Sequence, residues 1–203
     1  VYVPSHFAED RPDVVLGLLR RAGFGHLVCT DDEGPTSTPL PFVVDDAMTS
    51  VRAHLARPNR IWRLAPCRAL LVVPVGDAYV SPSWYPTKAE TGKVVPTWNY
   101  EVVHVHGRLV AHDDPAWIRR QVDELTDRNE SARAEPWSVD DAPADFVDGL
   151  VRAIVGVELV VERVVAKRKL SQNRPEPDVA GVIHGLREVG GRSASVADAM
   201  TTD

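Results

Sequence analysis

The 203-residue chain reads as a mainly β, α+β protein, with six or more mainly antiparallel strands forming a barrel and helices outside it. Three observations predict this. Short runs of alternating apolar and other residues recur, as in Val103-His104-Val105-His106. Breakers cluster between the runs, at Asp31 to Pro35 and at Gly76-Asp77. Helical stretches are few and separate, near 10–23, 114–128 and 143–154, too sparse to alternate with every strand as a parallel α/β sheet requires.

The elements follow in order. Asp10 and Pro12 suit a helix start, Val15, Leu18, Leu19 and Ala22 make one stripe, and Gly23 ends it. Residues 24–30 read as a strand. Thr36 to Val44 reads as another, placed at an edge or bulge because Pro39 and Pro41 cannot donate to a ladder. Thr49 to His54 is a strand that runs directly into a short helix, Arg60 to Leu64. Arg68 to Val75 is a buried-type strand, continued by Ala78 to Ser81 after a Gly76-Asp77 turn. Residues 86–95 read as a mobile loop. Thr97 to His112 is the longest strand candidate, and Asp114-Pro115 opens a helix with Ile118, Val122 and Leu125 as its stripe. Gly156 to Lys169 returns to strand, Asp178 to Val189 reads as a terminal helix, and the Ser-, Ala- and Thr-rich tail after Gly190-Gly191 is expected to be disordered. The expected division is one domain over 1–174, followed by 175–203 as a C-terminal helix and tail.

Composition narrows the function classes. Hydrophobic residues are 44 % and charged residues 26 %, ordinary for a soluble globular chain that buries a core. The net charge of −6 argues against a broad nucleic-acid surface, leaving at most weak or indirect association with DNA. The one dense basic run is Arg163 to Arg174. No apolar run approaches a membrane span, and no secretory signal opens the sequence. Cys29 and Cys67 sit in apolar runs without metal-ligand spacing, compatible with a cytoplasmic location. His104 and His106 share one strand face but have no third ligand in view, so no metal site is assigned. His26 reads as a core or interface residue.

The most informative stretch is Tyr79 to Tyr100. Two blocks, Tyr-Val-Ser-Pro-Ser-Trp-Tyr and Pro-Thr-Trp-Asn-Tyr, flank the flexible insert. Each sets flat apolar rings beside hydroxyl or amide groups, which suits a planar heterocyclic ligand and also suits strand ends whose rings fill a core. The strand-to-helix turn at Arg57-Pro58-Asn59 favours an anion, because such a turn directs backbone N–H groups outward. An ordinary salt bridge for Arg57 is the rival reading, and Pro58 removes one donor from the turn.

Tyr-Val-Pro-Ser-His-Phe at 2–7, His-Leu-Ala-Arg at 54–57 with Asn59 and Trp62, the two aromatic blocks and Lys-Leu-Ser-Gln-Asn-Arg at 169–174 occur in one order. That set resembles the PaiB-type FMN-binding negative transcriptional regulators, over Tyr2 to about Arg174. The resemblance implies a split β-barrel related to pyridoxamine-phosphate oxidase-like proteins, with FMN at a homodimer interface. It implies cofactor contacts at His54, Arg57, Asn59, Ser81, Ser83, Trp84, Tyr85, Lys88, Thr97, Trp98, Asn99, Lys169, Ser171, Gln172 and Arg174, with Arg57 on the phosphate. The function it implies is negative regulation of transcription, direct or through a partner. Two alternatives stand beside it: a flavin-dependent oxidoreductase acting on a small molecule, and a binding protein for haem or a deazaflavin. No acid–base pair stands out in the sequence, so no catalytic residue is assigned. His54, His104 and Tyr85 read better as contacts.

Overall fold

A computed structural model describes residues 1–201. Its strands are β1 (Ala8–Glu9), β2 (Phe24–Asp31), β3 (Gly34–Pro41), β4 (Val43–Val44), β5 (Ser50–Ala56), β6 (Cys67–Val80), β7 (Thr97–His112) and β8 (Ile154–Lys169). The helices are α1 (Pro12–Ala22), α2 (Thr87–Thr91), α3 (Pro115–Glu130), α4 (Ala144–Arg152), α5 (Glu176–Val189) and α6 (Arg192–Ala199), with short 3-10 turns such as Arg60–Leu64. The sheet order is β3-β2-β6-β7-β8-β5-β4, with β1 added beside β8. The pairings β2 with β3, β2 with β6, β4 with β5 and β5 with β8 are all antiparallel. The Asp114 carboxylate caps α3 by accepting from Ala116 N at 3.0 Å, with Pro115 in its first turn, as the sequence predicts.

Three differences from the sequence reading have simple causes. β6 runs straight through Gly76 and Asp77, since both keep their N–H donors and the one proline of the strand, Pro74, lies before them. Residues 87–91, read as loop, form α2, which ends at Gly92 in the left-handed conformation at φ 67°. The tail, expected to be disordered, forms α6 and buries Val196, Ala197 and Ala199, so few but well-placed apolar residues order it. Residues 202 and 203 of that expected tail lie outside the described residues.

The chain folds into two compact units. One comprises 19–73 and 104–164. In it Leu27, Leu40, Val51, Ala53, Leu71, Leu109, Val157 and Leu159 converge from six strands on one tightly filled interior. This is the alternate-residue packing of a small barrel. Ile118, Val139, Val147 and Val151 form a second apolar cluster that joins α3 to α4.

The other unit comprises 1–18, 74–103 and the chain from 165 onward. It includes both α5 and α6. Its core gathers Ala78, Val80, Tyr85, Leu170, Val182, Leu186, Val196 and Ala197. A charged network lies in the same unit. Arg168, 8 % exposed, donates to Glu101 at 2.8 Å, to Glu9 at 3.4 Å and to the Ala199 carbonyl at 3.1 Å. Arg11 grips the Glu9 carboxylate through Nε at 2.8 Å and Nη2 at 2.7 Å. That grip, with a smaller contribution from Arg168, holds the Glu9 carboxyl down at about 2 despite its burial.

Candidate functional site

The residues expected to contact a cofactor fall into two groups, one in each unit. In the barrel unit, β5 alternates: Val51, Ala53 and Leu55 point inward, while Arg52 and His54 lie on the opposite face. His54 Nδ1 is 2.8 Å from Gln121 Oε1 on α3. It therefore pairs with a helix side chain.

Arg57 is engaged with protein groups. Its Nη2 and Nη1 meet the two carboxylate oxygens of Asp113 at 2.6 and 3.3 Å. Its Nε donates to the Arg152 carbonyl at 2.9 Å, and Nη2 donates also to the Ile154 carbonyl at 3.0 Å. The bidentate face that would suit a phosphate is already occupied by a carboxylate. This pairing raises the Arg57 pKa and lowers that of Asp113. The acid is distant in sequence, so the rival salt bridge could not be assigned from spacing.

Asn59 is placed differently. Its Oδ1 accepts from Ile61 N at 3.0 Å, capping the short turn Arg60–Leu64, and its Nδ2 donates to Thr38 Oγ1 at 3.1 Å. That bond ties the turn to β3 across an open cleft of about 170 Å³. The lining residues include Thr36, Ser37, Thr38, Asn59 and Arg60. Thr36 and Thr38, which share one face of β3, an amide and an exposed guanidinium form a donor set suited to an anion, and the Asp31 carboxylate also lines the cleft. Arg60 lies beside the turn that the sequence marks as favouring an anion, whereas Thr36 and Thr38 join it only through the fold, the sequence showing no more than a Thr-Ser-Thr run between Pro35 and Pro39.

In the other unit the expected residues do come together. Lys169 Nζ donates to Thr97 Oγ1 at 2.7 Å and also to the Trp98 carbonyl. Burial pushes the Lys169 pKa down. The Asn99 and Ser171 side chains hydrogen-bond at 2.9 Å, with Asn99 fully buried. Gln172 bridges its own loop, donating to the Arg168 carbonyl at 2.6 Å and accepting from Leu170 N at 2.7 Å. The Arg174 guanidinium lies 4.7 Å from the Tyr85 ring centre. Ser81 Oγ accepts from Ser83 N at 3.2 Å, and Lys88 Nζ donates to Ser83 Oγ at 3.3 Å.

Two of the aromatic residues are packed within this unit. Tyr85 is only 2 % exposed and belongs to the core. Trp84 packs against α5, where a Cβ on Gly185 would meet its ring at 2.3 Å and one on Gly181 would meet its carbonyl at 2.0 Å. The two glycines make a notch for the indole, and that packing removes it as an open platform. Tyr79 and Trp98 remain half exposed, edge to face at 6.1 Å.

His104 and His106 share an outward strand face, with ring centres 6.3 Å apart. Among the described residues no cluster of three or more His, Cys, Asp or Glu could hold a metal. Burial pushes both imidazole pKa values down. No helix among the described residues is long and apolar enough to cross a membrane.

An antiparallel α+β split barrel bearing a polar cleft is the class defined by these features. The solved structures agree on the fold. The flavocytochrome Anf3 of Azotobacter vinelandii superposes with a TM-score of 0.62 at 18 % identity, covering 88 % of this chain and 78 % of that one. A FAD and heme binding protein of Mycobacterium smegmatis gives 0.59 at 14 % identity, covering 85 % and 78 %. The profile of the family described as "Putative FMN-binding domain" matches residues 1–163, and the chain belongs to that family. It is 31 % identical over 193 residues to protease synthase and sporulation protein PAI 2 of Bacillus subtilis, covering 92 % of this chain and 89 % of the relative. An uncharacterized protein of Emericella nidulans is 36 % identical over 231 residues, covering 94 % and 92 %. The matched span makes this a flavin-binding domain.

Proposed function

We propose that the chain binds FMN, with the phosphate in the cleft between β3 and the Arg60–Leu64 turn. The observation supporting this reading is the donor set of that cleft, Thr36, Thr38, Asn59 and Arg60, inside the span matched by the family profile. Hydroxyl and amide donors fix the orientation of phosphate oxygens, and Arg60 supplies charge. When bound, the flavin supplies electron and hydride transfer. This chain's residues bind and orient it. Purified protein mixed with FMN is expected to retain flavin absorption near ~450 nm through gel filtration. Absence of that band, or a Soret band instead, would overturn the assignment.

The working form in this proposal is a homodimer. A cleft of about 170 Å³ is smaller than the roughly 300–1,000 Å³ of pockets that enclose a comparable ligand, so a second copy completes the site. The half-exposed Tyr79 and Trp98 supply apolar surface for that copy. Light scattering is expected to give twice the chain mass at micromolar concentration. A monomer that still holds FMN tightly would contradict this.

The regulatory role implied by family resemblance is exerted through a partner in this reading. The basic run Arg163 to Arg174 offers little free charge: Lys167 is 7 % exposed, Arg168 is tied to Glu101 and Glu9, and Lys169 is bonded to Thr97. With a net charge of −6, direct DNA binding is expected to be weak and steeply salt-dependent. A sequence-specific footprint by the pure protein at physiological salt would overturn that expectation.

A further inference from the structure

We propose that Cys29 and Cys67 form a reversible intramolecular disulfide that draws together the two walls of the β3 cleft. Both are free thiols in the structure. β2 and β6 pair antiparallel through His26–Val72, Leu27–Leu71 and Val28–Leu70. Continuing that register sets Cys29 opposite Ala69, with Cys67 two residues further along. Alternation puts both sulfurs on the face that carries Leu27, Ala69 and Leu71. Burial, and then the neighbouring Cys67, push the Cys29 thiol up to about 12.

Each cysteine is linked to one wall. Cys29 pairs across the ladder with Thr36, a lining residue of β3. Cys67 follows the lining residue Leu64 after two intervening positions, Ala65 and Pro66, at the very start of β6 where the strand has no preceding ladder to hold it. Diagonal cross-strand partners lie about 7–8 Å apart at Cα, whereas a disulfide prefers about 5.5–6 Å. Bridging therefore draws the Cys67 end inward by about 1–2 Å and takes the Arg60–Leu64 turn with it.

The oxidant is a peroxide. Cys67 is the more exposed thiol, and Cys29 is only 2 % exposed. The Cys67 sulfur attacks a peroxide oxygen, breaks the O–O bond and becomes a sulfenic acid as water leaves. The Cys29 sulfur, giving up its proton, then displaces hydroxide from that sulfur as a second water, leaving the S–S bond. Two thiols are oxidised and one peroxide is reduced. A small thiol reverses the bond by exchange, as expected of a transient disulfide in a reducing compartment.

The consequence for ligand binding rests on the function proposed above: narrowing the cleft weakens FMN about tenfold, the loss of one charge-assisted hydrogen bond. The test treats the full chain with hydrogen peroxide. The intact mass is expected to fall by two hydrogens, the peptides bearing Cys29 and Cys67 to be joined, and dithiothreitol to restore both. Cys67→Ser is expected to bind FMN like the reduced chain and to ignore peroxide. Oxygen addition without a joined peptide, or bridges only between chains, would overturn the disulfide. A joined peptide with unchanged FMN affinity would overturn its link to the cleft. Because the joined peptide is scored without flavin, a chain that binds no flavin in either state refutes the proposed function and not the bridge.

Discussion

A chain ending at Arg174 is expected to lose the fold of the unit built from 1–18, 74–103 and the C-terminal segment. Deleting α5 and α6 removes Val182, Leu186, Val196 and Ala197 from a core shared with Ala78, Val80, Tyr85 and Leu170. It also removes the notch at Gly181 and Gly185 that receives Trp84, and the Asp178 carboxylate that accepts from Thr87 N at 3.2 Å. Leu186→Ala tests the same packing without deletion. Leu186 is fully buried, so truncation should cost roughly 2–5 kcal/mol, a large part of the roughly 5–15 kcal/mol that holds a typical domain together. Urea titration followed by Trp fluorescence reads both variants. A truncated chain that unfolds cooperatively at the same midpoint would show that α5 and α6 are an appendage.

The second large effect concerns the buried charges. Glu101→Ala is expected to destabilise by roughly 3 kcal/mol, because buried Arg168 loses its 2.8 Å partner and keeps only the longer 3.4 Å contact with Glu9. Replacing Glu101 and Arg168 together by leucine and methionine should recover much of that loss, since the penalty comes from a buried charge that has lost its shorter partner. The same network carries an acid signature. Glu9 titrates at about 2 in the folded chain against 4.5 as its ordinary value, so its stabilisation is present above pH 4.5 and is lost as pH falls toward 2. Urea midpoints should therefore fall across that window in the native chain and change less in Glu9→Gln. Equal slopes for the two would contradict the assignment to Glu9.

Several features were legible from residues alone. Alternation marked the long strands, Asp114-Pro115 marked the start of α3, and the ordered motifs pointed to the flavin family. What sequence could not supply were pairings between residues far apart in the chain. Arg57 read as an anion holder from its turn, and only the fold reveals Asp113 on its fork, 56 positions away. Trp84 and Tyr85 read as a platform because nothing local announces that Gly181 and Gly185 leave a notch for an indole. The tail read as disordered because its apolar residues are sparse, yet Val196, Ala197 and Ala199 share one buried face. The Thr38 hydroxyl meets Asn59 only through the fold, 21 positions away in the chain.

The flavin phosphate cleft is tested most directly by a ligand pair, FMN and riboflavin, which share a ring system and differ in the phosphate. Affinities are measured by flavin fluorescence for the native chain, Arg60→Ala and Arg57→Ala. Arg60→Ala is expected to weaken FMN by roughly 1.5–3 kcal/mol, about ten- to hundredfold, and to leave riboflavin unchanged. Arg57→Ala, whose fork holds Asp113, is expected to lower thermal stability while leaving the ratio of the two affinities intact. Equal losses of both flavins in Arg60→Ala, or a collapse of the ratio in Arg57→Ala alone, would contradict the cleft and return the phosphate to Arg57.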